Sequence, residues 1–190
     1  MKIQVTIEGL TPLLMNRFSD EAEIATTSGH SPAFHGSGRG TPREQATRTA
    51  YRDSTTGELY VPGSNIFAAI VDVGRFHRLG KSKVSTQKSS LIPAGLLVSE
   101  LMVPLATKQF EVDSRRVRIP ATGGCVMRHR ARLDSWKASF TLVVDETVFS
   151  PQFIRVLLDD CGRKVGLGDY RPATRGPFGR FVVSSWKVEA

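Results

Sequence analysis

Along this chain of 190 residues, the well-patterned apolar segments come in the order strand, helix, strand, strand, helix, strand. That order constrains the fold more than any other feature. Residues 2–9 alternate Ile3, Val5 and Ile7 with polar neighbours, the rhythm of a half-buried strand. Thr11-Pro12 ends it, because proline cannot continue a ladder. Ser64 is placed to cap a helix over 65–79, with Ile66, Phe67, Ile70, Val73 and Phe76 on one face and Gly80 closing it. Residues 94–103 (AGLLVSELMV) predict a buried strand and 138–146 (ASFTLVVDE) a clear one. Ser150-Pro151 starts a helix over 151–161, with Phe153, Ile154, Leu157 and Leu158 on one face, and Gly162 stops it. The last strand is 179–188.

This is the βαββαβ order of a ferredoxin-like (RRM-like) α+β fold, with one domain over 1–190. Two segments, 10–62 and 104–137, interrupt it without a periodic apolar face, so both are expected outside the sheet. In the first, 16–57 is rich in Gly, Ser, Thr, His and Arg, and 28–42 reads as a loop. Residues 42–52 suit a short helix with proline first, and 55–63 a turn and short strand. Residues 81–90 read as a polar, basic loop.

Charge narrows the partner. Lys and Arg number 26 against 18 Asp and Glu, a net +8. A surplus of that size favours a polyanion, because each cation near a phosphate releases a counterion. The plain alternative is a solvated basic surface. Two cysteines, Cys125 and Cys161, are too few for a disulfide scaffold, so free thiols and a cytoplasmic setting are expected. The first strand is too short and polar for a leader, and no apolar run approaches the roughly 20 residues a bilayer needs. No membrane partner is expected. No internal repeat is present, so any stacking would be between chains.

The most specific motif is the glycine-rich run from Gly166 to Phe181, GLGDYRPATRGPFGRF. Glycines allow backbone amides to approach a phosphate, and arginines add charge and donors. The run matches neither a Walker loop nor a dinucleotide fingerprint. The competing reading gives its glycines a purely conformational task. A second basic element lies at 112–132. There Val112, Arg116, Arg118 and Ile119 form one strand-like run and Val126 to Arg132 another, with Thr122-Gly123-Gly124 between. Alternation puts Arg128, Arg130 and Arg132 on one face. The alternative there is an ordinary solvated hairpin.

Three motifs occur in a fixed order: Thr11-Pro12-Leu13 after the first strand, Tyr60-Val61-Pro62-Gly63-Ser64-Asn65-Ile66 opening a helix, and the glycine-rich run ending in Phe178-Gly179-Arg180. Together they resemble the RAMP (repeat-associated) superfamily of CRISPR RNA-binding subunits, most closely an effector backbone subunit. Phe67-Ala68-Ala69 stands where the family has Lys-Gly. The resemblance implies a protein that polymerises along a single-stranded guide RNA, with a target strand, copies of itself and other effector subunits as further partners. It implies phosphate contacts from Gly166, Gly168, Arg171, Arg175, Gly176, Gly179 and Arg180, and a thumb hairpin carrying Arg116, Arg128 and Arg130. The loop 16–57 and Lys81, Lys83 and Lys88 would face nucleic acid or a neighbouring protomer.

The same resemblance raises catalytic candidates, since some RAMP endonucleases use a loop histidine and some backbone subunits a loop aspartate. His30, His35 and Asp20 occupy such loops, with Glu21 beside Asp20 and Phe34 placed for stacking. No paired catalytic spacing marks them. His77 is expected at the surface. Cys125 and His129 are too few to hold zinc, so no metal and no cofactor is expected. Two rivals to the backbone subunit remain: an RNA-processing endonuclease of the same superfamily, and a mobile-element assembly protein whose basic surfaces have nothing to do with RNA.

Overall fold

The structure, a computed structural model, describes residues 1–18, 40–118 and 123–189. His30, His35, Asp20, Glu21 and Phe34 therefore lie outside the described residues. The elements are β1 Lys2–Gly9, β2 Leu13–Leu14, α1 Pro42–Thr49, β3 Tyr60–Pro62, α2 Gly63–Val73, β4 Arg78–Leu79, β5 Ser82–Lys83, the single turn α3 Ile92–Gly95, β6 Leu96–Val98, β7 Met102–Pro104, β8 Glu111–Arg118, β9 Cys125–Leu133, β10 Lys137–Val144, α4 Pro151–Asp160 and β11 Phe181–Glu189.

A four-stranded antiparallel sheet runs β11-β1-β10-β6. The outer strands in this order follow the two long helices in sequence, so the chain is α+β with antiparallel sheets. One face buries Ile3, Val5 and Ile7 beside Ala138, Phe140, Leu142 and Val144. Onto it pack α2, through Ile66, Ala69, Ile70 and Val73, and α4, through Ile154, Leu157 and Leu158. Ser150 caps α4 by accepting from the N–H of Phe153 at 3.2 Å. The opposite face is polar. Lys2, Gln4, Thr6 and Glu8 lie beside Lys137, Ser139, Thr141 and Val143, with Lys187 and Ser185 on the other flank. Among the described residues it carries no aromatic ring, so it offers no platform on which bases could stack.

The segments 10–62 and 104–137 lie outside this sheet, yet they share its core. Leu13, Leu14 and Met15 from the first and Ala131, Leu133 and Trp136 from the second are buried. They build a second antiparallel sheet, β2-β9-β8, on which α1 rests. Thr41 caps α1 in a reciprocal capping box with Glu44. Asn16 and Arg17 extend from β2, and the Arg17 N–H donates to the Thr49 carbonyl at 2.8 Å, tying this stretch to α1.

Several local expectations are corrected. The helix expected over 65–79 begins at Gly63 with Pro62 as its cap residue, and ends at Val73. One 3₁₀ turn follows at Gly74–Phe76, because the returning β4–β5 hairpin takes the carbonyls there: Ser85 N–H donates to Gly74 O and Val84 N–H to His77 O. Phe76, expected on the buried face, is half exposed, while Val84 and Ser85 in the expected polar loop are buried. His77 is drawn inward: its Nε2 lies 2.9 Å from Asp160 Oδ2 and its ring packs edge-on with Phe153. The run 94–103 is not one strand: Ser99 and Glu100 bond the backbone of Thr141, and the chain then leaves to pair β7 with β3. Gly162 does not stop α4. A π turn, Cys161–Val165, runs through it and ends at Gly166. Cys161 is buried there, and burial pushes its thiol pKa up, whereas Cys125 is exposed. Among the described residues no helix is long and apolar enough to cross a membrane.

Candidate nucleic-acid interface

The glycine-rich loop connects the π turn to β11 and folds back on the stretch between β1 and β2. Its amides are mostly spent internally. Gly166 N–H donates to Cys161 O, Leu167 N–H to Gly179 O, Asp169 N–H to Leu14 O, Gly176 N–H to Arg171 O and Gly179 N–H to Pro12 O, all within 2.8–2.9 Å. The glycines therefore have a packing task. A Cβ on Gly179, whose φ is +68°, would lie 1.8 Å from the Leu167 carbonyl oxygen. A Cβ on Gly168 would lie 2.4 Å from that of Leu14. Arg171 donates from Nη1 to Gly168 O (3.1 Å) and Arg180 from Nη1 to Arg163 O (2.5 Å), so both guanidiniums are anchored at one end. Arg175 is exposed and sits in the left-handed region, φ +64°.

The second basic element is the β8–β9 hairpin, paired from Glu111↔Arg132 to Arg118↔Cys125. Register divides its arginines between two faces. Arg115, Arg128, Arg130 and Arg132 share one face with Asp113, whereas Arg116 and Arg118 share the other with Met127 and His129. Arg116 thus lies opposite Arg128 and Arg130, a separation that the spacing within each strand alone does not reveal.

The first face turns towards the glycine-rich loop. Arg130 Nε is 2.6 Å from Asp169 Oδ2, with both side chains mostly buried. Arg115 grips the buried Asp113 with Nε at 2.7 and 2.9 Å from its two oxygens, a bond that raises the arginine's pKa, and stacks over Phe178 at 4.5 Å. Arg132 is held by Asp134 at 2.8 Å. Of the row Arg128–Arg130–Arg132, the last two are thus committed to carboxylates. Arg116, Arg118 and Met127 on the second face are exposed, and His129 Nδ1 lies 2.7 Å from Ser114 Oγ.

The Arg130–Asp169 pair predicts a measurable coupling. Asp169→Ala leaves a mostly buried guanidinium unpaired and should cost about 1–3 kcal/mol in urea denaturation, while Arg130→Met with Asp169→Leu recovers part of that loss. Strictly additive losses would mean that the two elements are not joined by this bond.

A third basic cluster surrounds the β4–β5 hairpin. Lys81 and Lys83 are exposed at its tip with Arg78, and Lys88 is exposed in the loop that follows. The half-exposed Phe76 lies under Arg75 (5.2 Å) and Lys164 (5.5 Å). Lys164 also bonds Asp160 and holds that carboxyl below the usual range. Among the described residues no group of three or more His, Cys, Asp or Glu side chains is placed to hold a metal ion.

No protein-family model matches the chain, and no curated protein matches it in sequence. Solved structures do. One is a chain in the cryo-EM structure of the Type III-B Cmr-beta bound to cognate target RNA, at 12% identity and a TM-score of 0.59. The two chains share a fold. The match covers 98% of this chain and 59% of that one, so this chain spans less than two thirds of that chain's length.

Sequence reasoning missed the partners of Arg130 and Arg115, because Asp169 and Phe178 lie some forty to sixty positions away in sequence. It also missed Phe18, exposed at the end of the stretch after β2, and Phe76 beneath two cations. Phe18 stands in a polar run and carries no periodic signal, whereas Phe76 fits the helical period and was assigned to the buried face by it.

Proposed function

We propose that this chain is an RNA-binding subunit of a CRISPR-type ribonucleoprotein. It is read as a RAMP-type, ferredoxin-like domain over 1–190, with 10–62 and 104–137 as elaborations and 113–132 as a thumb. It coats a single-stranded guide RNA in the cytoplasm, beside further copies of itself and other effector subunits, with a target strand as a further partner. The observation that carries the reading is the junction of its two basic elements: Arg130–Asp169 and Arg115–Phe178 fix the hairpin against the glycine-rich loop. The fold likeness to a chain of an RNA-bound complex supports it.

Affinity comes mainly from phosphates. The exposed Arg116 and Arg118 on the hairpin, Arg175 on the loop, and Lys81 and Lys83 beside β4 and β5 meet the strand from three sides. Arg128 and Arg180 reinforce them, and Gly166, Gly168, Gly176 and Gly179 set the path of the loop. The polar, ring-free sheet face takes no part in this. The test is the nucleic-acid content of the protein purified at low salt, with RNase and DNase applied separately. RNase-sensitive absorbance at 260 nm is expected; DNase-sensitive or absent nucleic acid contradicts the reading.

The thumb has its own test. Removing all of 113–132 would take out Asp113 and Ala131, both buried, and unseat α1 from β9. Replacing 116–127 by Asn-Gly instead joins the paired residues Arg115 and Arg128 by a tight turn and spares the base. That variant should fold with an unchanged melting temperature and bind a short RNA only a few fold more weakly, yet lose cooperative coating of a long one. Continuous filaments in negative stain would show that the tip is not a thumb.

A further inference from the structure

Five positions of the glycine-rich loop have a positive φ: Gly166, Gly168, Tyr170, Arg175 and Gly179. At three of them the chain uses glycine, which adopts that conformation without strain. At the other two it carries a bulky aromatic side chain, at φ +49°, and a long cationic one, at φ +64°. A bulky residue in this conformation is an outlier. It persists only where the surroundings enforce it, and such outliers gather at sites that hold ligands.

The surroundings of Tyr170 do enforce it. Its N–H donates to Asp169 Oδ1 at 2.8 Å, and its carbonyl accepts from the Phe178 N–H at 3.2 Å. Gly176 packs so closely that an added Cβ there would overlap the same carbonyl. The ring tilts against Phe178, with centroids 6.0 Å apart, and Arg115 of the hairpin covers Phe178. Tyr170 is thus held at the junction of the two basic elements. Phe178 is buried there, yet Tyr170 remains 41% exposed, so internal packing leaves much of its side chain without a task. The charges beside it favour a polyanionic strand. Asp169 is taken by Arg130 and Asp113 by Arg115. Arg171 and Arg175 have no carboxylate partner among the described residues, so a positive surplus flanks the ring.

We propose that Tyr170 is a stacking platform for one base of the bound strand, with Arg171 and Arg175 on the flanking phosphates. The division follows from chemistry: the phosphates have two unpaired guanidiniums to meet, and a flat aromatic face suits a base. Every base has a π-face, so the contact takes any of them and adds no sequence preference. The site rests on the RNA-binding reading above and adds to it. The phosphates carry most of the affinity, and at this point each subunit holds one base by stacking, a task that the ring-free sheet face cannot perform.

The experiment uses fluorescence anisotropy at one fixed salt concentration. The probes are a twelve-nucleotide oligouridylate and an abasic strand of the same length and charge. The unaltered protein should bind the oligouridylate about tenfold more tightly. Tyr170→Leu keeps an apolar side chain against Phe178 but has no flat face. It should erase that difference and leave the abasic strand's affinity where it was. Tyr170→Phe should restore the difference. Arg175→Gly suits a left-handed position, so it should leave the melting temperature in place while weakening both strands alike. Equal binding of the two strands by the unaltered protein overturns the stacking site and leaves the RNA-binding reading standing. So does a base-dependent gain that survives Tyr170→Leu, or a Tyr170→Leu loss shared by the abasic strand. A loss in Tyr170→Phe as large as in Tyr170→Leu would put the hydroxyl on the strand in place of the ring, and overturns it too. Failure to bind either strand at low salt overturns both readings.

Discussion

Replacing Arg116, Arg118, Arg175, Lys81 and Lys83 together by alanine lowers affinity for single-stranded RNA by at least a hundredfold at about 100 mM salt. All five are exposed, and among the described residues none of them is ion-paired with a carboxylate. The salt slope should shrink by about 0.7 for every phosphate that is no longer neutralised, so the variant's log–log plot should be markedly flatter. Its melting temperature should hardly move, since exposed cations contribute at most a few tenths of a kcal/mol each. The control is Lys2, Lys137 and Lys187 on the open face of the four-stranded sheet. Removing those three charges should change the affinity far less, because Lys137 lies beside Glu8 and Lys2 beside Glu189 across the strands, which offsets their charge. Equal losses from the two sets would mean that net charge alone drives binding, with no defined site.

The second large effect is on stability. Gly179 stands at the centre of the loop's internal bonds: its N–H donates to Pro12 O at 2.8 Å and its carbonyl accepts from Leu167 N–H at 2.9 Å. Gly179→Ala adds a methyl group 1.8 Å from a backbone oxygen, in a left-handed conformation. Conformational strain costs about 1–2 kcal/mol and the overlap about 1–3 more, and a backbone atom can yield only by breaking its own bonds. A fall of about 5–15 °C in melting temperature follows for a chain of this size. Gly57→Ala separates the two contributions. Its φ of +73° is similarly left-handed, but the nearest atom to an added Cβ is 3.9 Å away. Strain alone should cost it about 1 kcal/mol, two to four degrees. A loss at Gly179 no larger than at Gly57 would show that the loop is not packed against Leu167 and Pro12 as described.

The main sheet and its two helices were legible because their apolar residues repeat at fixed intervals. Ile3, Val5 and Ile7, or Ile154, Leu157 and Leu158, announce both element and buried face. The segments at 10–62 and 104–137 were harder to read. Their contributions to the core are single residues such as Leu59, Phe110 and Trp136, each buried by partners distant in sequence, so no local period exists. Breaks such as the one at Ser99–Leu101 were also hidden, because the apolar run continues through them while the backbone bonds change partner. For the site, the sequence marks where arginine and glycine cluster. It does not say which arginines are already neutralised. Arg130 and Arg132 have the spacing of a phosphate-tracking row, but Asp169 and Asp134 stand beside them in the fold. The glycines of the loop have the pattern of openings for phosphate, whereas the amides of Gly166, Gly176 and Gly179 are already bonded to the backbone carbonyls of Cys161, Arg171 and Pro12.

The central claim is that this basic surface binds single-stranded RNA through its phosphates. The most direct measurement is the affinity of the nuclease-treated, RNA-free protein for a long single-stranded RNA at salt concentrations from about 50 to 300 mM. A straight log–log plot falling with a slope several times 0.7 is predicted, that value being about the contribution of each phosphate neutralised. A flat plot, or no binding at the lowest salt, would contradict the account.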